Sequence, residues 1–151
     1  MILRPGTAAP DFALPNQFGQ PVSLASFRGM KRVTLVFFPL AFSSTCQGEL
    51  RELRDNLTLF FESDTELLGV SVDSKHTLRA WAEEQGYGFQ LLADFWPHGE
   101  VARSYGAFLD DRGYANRATF VIDEQGVIRS SFASAPGEAR TIEQYRVALS
   151  R

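Results

Sequence analysis

The sequence predicts an α/β domain with a mixed sheet covered by helices on both faces, and three observations predict it. Val33 to Phe38 (VTLVFF) and Glu66 to Val72 (ELLGVSV) are short runs dominated by β-branched, leucine and aromatic residues. Such runs read as strands buried on both sides. Each is followed by a stretch whose apolar residues recur at helical spacing, which is the alternation of a strand–helix–strand unit. Finally, Ala118 to Asp123 (ATFVID) and Val127 to Phe132 (VIRSSF) flank Glu124-Gln125-Gly126. That places an antiparallel hairpin, with glycine in its three-residue loop, after the parallel units.

Taken in order, Pro10 to Gln17 and Gln20 to Leu24, separated by Phe18-Gly19, read as an N-terminal hairpin. Ser26 to Gly29 is a turn into the Val33 strand, which Pro39 ends because a proline cannot donate to a sheet ladder. Cys46, Leu50, Leu53 and Leu57 then recur at spacings of four, three and four, on one helix face. Ser43, Ser44 and Thr45 are candidate N-caps for that helix. Asp73 or Ser74 caps a helix from about Lys75 to Gln85 that stops at Gly86. Phe89 to Ala93 is a brief strand, His98 to Tyr105 a short helix ending at Gly106, and Glu138 to Leu149 a C-terminal helix with Ile142, Tyr145 and Leu149 on one face. Trp81 and Trp96 are placed in the core or against the loop before Cys46.

Composition bounds the function. A chain of 151 residues that is 44% hydrophobic, with 13 phenylalanines, is one domain over 1–151 with a full core and is not a disordered chain. A net charge of −3 gives no electrostatic footprint for nucleic acid or an anionic membrane. No apolar run is long enough to span a bilayer, and MILRPGTAAPDF lacks the apolar core of a signal peptide. One cysteine closes no intrachain disulfide, and a reducing, cytoplasmic location is expected. One cysteine and two scattered histidines, His76 and His98, show no metal-ligand spacing, glycine-rich nucleotide signatures are absent, and no cofactor is expected.

The single cysteine carries the chemistry. Cys46 lies in the first turn of a helix that leaves a buried strand, where free backbone N–H groups and the helix dipole favour an anion. The reactive form of cysteine is the thiolate, and such a position promotes it. The alternative is a small buried hydrophobe, which has no need of a proline-started loop and three hydroxyl residues beside it. Pro39-x-x-x-Ser43-x-x-Cys46, after Leu35-Val36-Phe37-Phe38, resembles the peroxidatic motif of the peroxiredoxins, with Ser43 where threonine is commoner. The longer strings FFPLAFSSTCQGEL, DFWPHG and ANRATF are similar to the one-cysteine AhpE-type branch, and the likeness runs from Pro10 to at least Ile128.

The resemblance implies a thioredoxin-like fold with an N-terminal hairpin extension, and a thiol-dependent peroxidase acting through a cysteine sulfenic acid. It implies that Cys46 attacks the peroxide, that the Ser43 hydroxyl contacts peroxide and sulfur, and that Pro39 shields the sulfur from water. It assigns the nearby cation to Arg117 and the orientation of that arginine to Glu49. Read without it, Pro39 is also a strand terminator, Glu49 a solvated helix acid and Arg117 one surface arginine among several. With no second cysteine, an external thiol must reduce the sulfenic acid. The resemblance suggests mycothiol with a mycoredoxin-type (glutaredoxin-like) partner, or thioredoxin. It also suggests a homodimer through loops near the site, for which Phe42, Trp96 and Phe108 are candidates. Two other classes remain open on the residues: a peroxide sensor or redox relay using the same thiolate, and a binding domain with a structural cysteine.

Overall fold

The computed structural model describes residues 1–150. Its centre is a five-stranded mixed sheet in the order β5-β4-β3-β8-β9. The strands are β3 (Arg32–Phe37), β4 (Thr65–Ser71), β5 (Gln90–Ala93), β8 (Arg117–Ile122) and β9 (Ile128–Ser134). β3 pairs with β4 in parallel, Val36 opposite Gly69, and with β8 antiparallel, Leu35 opposite Phe120. β1 (Ala13–Pro15) and β2 (Pro21–Ser23) form the N-terminal hairpin.

Alternation along β3 sorts the core into two layers. Val33, Leu35 and Phe37 face Phe12, Leu14, Val22, Leu24, Ala102 and Tyr105, beneath the hairpin and α4 (Glu100–Ser104). Val36 and Phe38 face the opposite layer, which holds Cys46, Leu50, Leu53, Phe60, Trp81 and Tyr145. Those residues come from α1 (Ser44–Asp55), α2 (Leu57–Glu62), α3 (Lys75–Gln85) and α5 (Ile142–Leu149). The mixed sheet flanked by helices is the thioredoxin-like arrangement.

Several boundaries differ from the sequence reading. α1 stops at Asp55, because Asn56 leaves helical geometry and its side-chain amide donates to the Glu52 carbonyl. A short polar side chain of this kind competes with the helical ladder. Leu57 therefore opens α2 rather than extending the Cys46 stripe. The C-terminal helix begins at Ile142, since Thr141 and Gln144 form a capping box that fixes its start. A small hairpin of β6 (Phe108–Leu109) and β7 (Tyr114–Ala115) had no legible pattern. Trp81 is fully buried, but Trp96 is 81% exposed and belongs to no core layer. Ser74 caps α3, accepting the Thr77 N–H, and Gly86 ends that helix at φ +68°.

Candidate active site

The ladder between β3 and β4 ends where Phe38 donates to the Val70 carbonyl. Pro39, buried and without an N–H, breaks it. The chain then crosses Leu40 to Phe42 and enters α1 through Ser43, an extended N-cap residue with φ −78° and ψ 146°. The Ser43 hydroxyl makes no cap bond; it donates to the Leu40 carbonyl at 2.7 Å and so closes the loop on itself. Cys46 follows in the first turn of α1, fully buried.

On one side the sulfur packs into the apolar layer under α1. On the other it meets a guanidinium: Arg117 Nη1 donates to Cys46 Sγ at 3.2 Å. Arg117 is the first residue of β8 and is held from two further directions. Its Nε donates to the Pro136 carbonyl at 2.6 Å, and Nη1 also donates to Glu49 Oε1 at 2.6 Å. Glu49, one turn beyond Cys46 on α1, in turn receives Arg140. Arg140 Nε and its backbone N–H reach Oε2 at 2.9 and 2.7 Å, and Nη2 reaches Oε1 at 3.0 Å. Arg140 Nη1 donates to Thr119 Oγ1 at 3.0 Å. All three charged side chains are almost wholly buried, at 2% exposure for Glu49, 3% for Arg117 and 0% for Arg140.

Burial alone would push the Glu49 carboxyl above its ordinary range. The hydrogen bonds and charge of Arg140, and then the charge of Arg117, more than offset that, so its pKa lies below the ordinary value. Glu49 is therefore a paired buried carboxylate, not a solvated helix acid. Two guanidiniums share one carboxylate, which leaves one positive charge in excess beside the sulfur.

Above this cluster lies an open cleft of about 180 Å³, walled by Pro39, Leu40, Ser43, Thr45, Tyr114 and Arg117 among others. Three of the sequence-selected residues, Pro39, Ser43 and Arg117, line it; Cys46 and Glu49 do not, and both join it through Arg117. A larger cleft of about 410 Å³ lies between β9 and α5, lined by Ser131, Phe132, Thr141 and Val147 among others. Its lining includes no cysteine, histidine or arginine and one acid, Glu143, so size does not locate the chemistry. His76 and His98 are exposed, and the His98 ring bonds the Gly113 carbonyl. Among the described residues no cluster of three or more His, Cys, Asp or Glu could hold a metal ion. Arg140 and Thr119 had no sequence signal: Arg140 lies 91 positions from the carboxylate it meets.

The AhpC/TSA family matches residues 5–131. Alkyl hydroperoxide reductase E of Mycobacterium tuberculosis is 50% identical over 139 residues, covering 92% of this chain and 91% of that protein. The chloroplastic 2-Cys peroxiredoxin BAS1 of Hordeum vulgare is 35% identical over 149 residues, covering 92% of this chain and 70% of that one. Among solved structures, Enterococcus faecalis AhpC superposes with a TM-score of 0.89 at 29% identity, covering 99% of this chain and 92% of that one. With a single cysteine and half its aligned residues shared with an alkyl hydroperoxide reductase E, the chain belongs to the AhpC/TSA family of peroxiredoxins, in its one-cysteine AhpE-type branch.

Proposed function

We propose that Cys46 is the nucleophile of a thiol-dependent peroxidase that reduces hydrogen peroxide and organic hydroperoxides. The observation that carries this reading is the 3.2 Å contact from Arg117 Nη1 to the sulfur, made by a guanidinium also fixed by Glu49 and Pro136. The guanidinium, one of two that share a single carboxylate, is placed to stabilise a thiolate, the nucleophilic form of cysteine. The thiolate attacks the terminal peroxide oxygen; an S–O bond forms, the O–O bond breaks, and the leaving oxygen takes up a proton as water or an alcohol. Cys46 becomes a sulfenic acid, oxidised by two electrons. Arg117 faces the same cleft and meets charge that develops on both oxygens. Ser43 Oγ, already donating to Leu40, keeps lone pairs that accept the peroxide O–H. Pro39 forms the wall that keeps bulk water off the sulfur.

The cycle closes through an external thiol. It condenses with the sulfenic acid to a mixed disulfide, releasing water, and a second thiol then returns Cys46 to the reduced state. The absence of a second cysteine in the chain supports a small thiol such as mycothiol, with a mycoredoxin-type protein, or thioredoxin as reductant. The lone free cysteine suits a cytoplasmic setting. The exposed loop aromatics Phe42 and Trp96, at 46% and 81% exposure, support a homodimer formed beside the site. Phe108 is partly buried against the first core layer and contributes less.

The test is stopped-flow mixing of the reduced protein and Cys46→Ser with hydrogen peroxide and an alkyl hydroperoxide, followed by turnover with a supplied thiol. The parent is expected to form a trappable sulfenic acid and to cycle, and Cys46→Ser to do neither. A single oxidation without cycling would favour a sensor or relay instead.

A further inference from the structure

Asp73 reaches into the loop that leads to Cys46. Pro39 interrupts the pairing of β3 with β4, yet the Ala41 N–H is caught by the Asp73 carboxylate, with Oδ2 at 2.8 Å. The same oxygen accepts the Ser71 hydroxyl at 2.6 Å. Ser71 is buried at the end of β4, and its carbonyl takes the Asp94 N–H at 2.8 Å. A side chain thus carries the β3–β4 ladder across the proline and ties the loop to the fixed end of the sheet. Immediately beyond the tie, Phe42 holds φ +67°. A bulky residue keeps that left-handed conformation only where its surroundings enforce it. The Phe42 ring rests near Trp81, with centroids 6.1 Å apart, and Ser43 closes the loop on Leu40.

We infer that Asp73 is a positioning residue for peroxide reduction: by holding the Ala41 N–H it sets where Leu40 and Ser43 stand on the cleft wall relative to Cys46 and Arg117. The inference rests on the reading of Cys46 as the nucleophile and deepens it. No hydrogen bond joins Asp73 to the sulfur, to Arg117 or to Glu49, and Asp73 belongs to neither hydrophobic layer. What it governs is the alignment of the peroxide, and not the charge around the sulfur. Misplacing a reactant by an ångström slows a reaction far more than it perturbs a fold.

Two reactions of the same thiol separate these effects: oxidation by hydrogen peroxide, which needs an oriented O–O bond, and alkylation by iodoacetamide, which does not use the Ser43 wall. Both are followed in parallel over a pH series for the parent, Asp73→Ala and Asp73→Asn. Asp73→Ala is expected to oxidise roughly ten- to a hundredfold more slowly, on the scale of a reactant misplaced by about an ångström, with an unchanged alkylation profile. Asp73→Asn keeps an oxygen that accepts the Ala41 N–H and is expected to recover most of the peroxide rate. Oxidation of Asp73→Ala at the parental rate overturns the inference. So does an equal fall in both reactions with no recovery in Asp73→Asn, the pattern of general damage. If Asp73→Ala does not fold, Ser71→Ala decides, since it removes the hydroxyl that anchors the same carboxylate oxygen; a selective slowing of peroxide oxidation supports the inference, and equal or no slowing overturns it. A parent protein inert to peroxide would refute the nucleophile itself, a result distinct from a reactive parent matched by its Asp73 variants.

Discussion

Arg117 serves three acceptors with one guanidinium: a backbone carbonyl, a carboxylate and the sulfur. Its planar fork allows this, and a lysine ammonium carries the charge without the fork. Arg117→Ala is expected to lower the rate of Cys46 oxidation by about 10²- to 10³-fold, the scale for removing one preorganised donor. Arg117→Lys is expected to fall between Arg117→Ala and the parent. Stopped-flow oxidation with circular dichroism as the folding control checks both, and a Lys variant as fast as the parent would show that charge alone suffices. The position of Cys46 in a helix first turn was legible in the sequence, because caps and apolar spacing are local signals. The nearness of Arg117, 71 positions away, was not; it came only from resemblance. Arg140, Thr119 and Asp73 escaped both, since nothing local to those residues says which buried acceptor or donor they will meet.

At the scale of elements, legibility followed burial. β3, β4 and β8 are buried on both faces; the first two read as apolar runs and the third as the leading strand of a hairpin. The two-residue strands of the β6–β7 hairpin are too short for any periodicity, and the start of α5 was misplaced because polar capping, not apolar spacing, sets it. Helix α3 was read well at both ends, where the cap residues are distinctive. Gly86 ends it in the left-handed region, at φ +68°, and a Cβ there would meet nothing within 4 Å. The cost of Gly86→Ala is therefore conformational rather than steric, about 1 kcal/mol. For a chain of this length the melting temperature is expected to fall by roughly 2–4 °C, with peroxide reactivity unchanged. Calorimetry and stopped-flow on one preparation measure both. A fall in reactivity at unchanged stability would mean that α3 communicates with the cleft through Trp81.

Across the whole molecule, the Glu49 cluster joins segments that the hydrophobic layers alone would leave adjustable. It ties α1 to β8 through Arg117 and to the chain before α5 through Arg140. Replacing the carboxylate by a neutral amide leaves buried guanidinium charge without a counterion, a change of about 3–5 kcal/mol. Glu49→Gln is thus expected to be less stable than the parent by about that amount near neutral pH. The pH dependence has a defined sign. The Glu49 carboxyl is held below its ordinary value of 4.5 in the folded protein. Its contribution is therefore fully present above that value and is lost as the pH falls through the lower, folded-state value. Asp94 shifts the other way: burial pushes its carboxyl up, against the Ala102 and Val101 N–H groups that favour the anion. Asp94 titrates in both proteins, so it cancels in their difference. Urea unfolding of the parent and of Glu49→Gln, repeated down a pH series, should give a constant gap above about pH 5 that narrows as Glu49 takes up its proton. A gap that stays constant into strong acid would mean that the carboxylate never carried the charge on which the cluster depends.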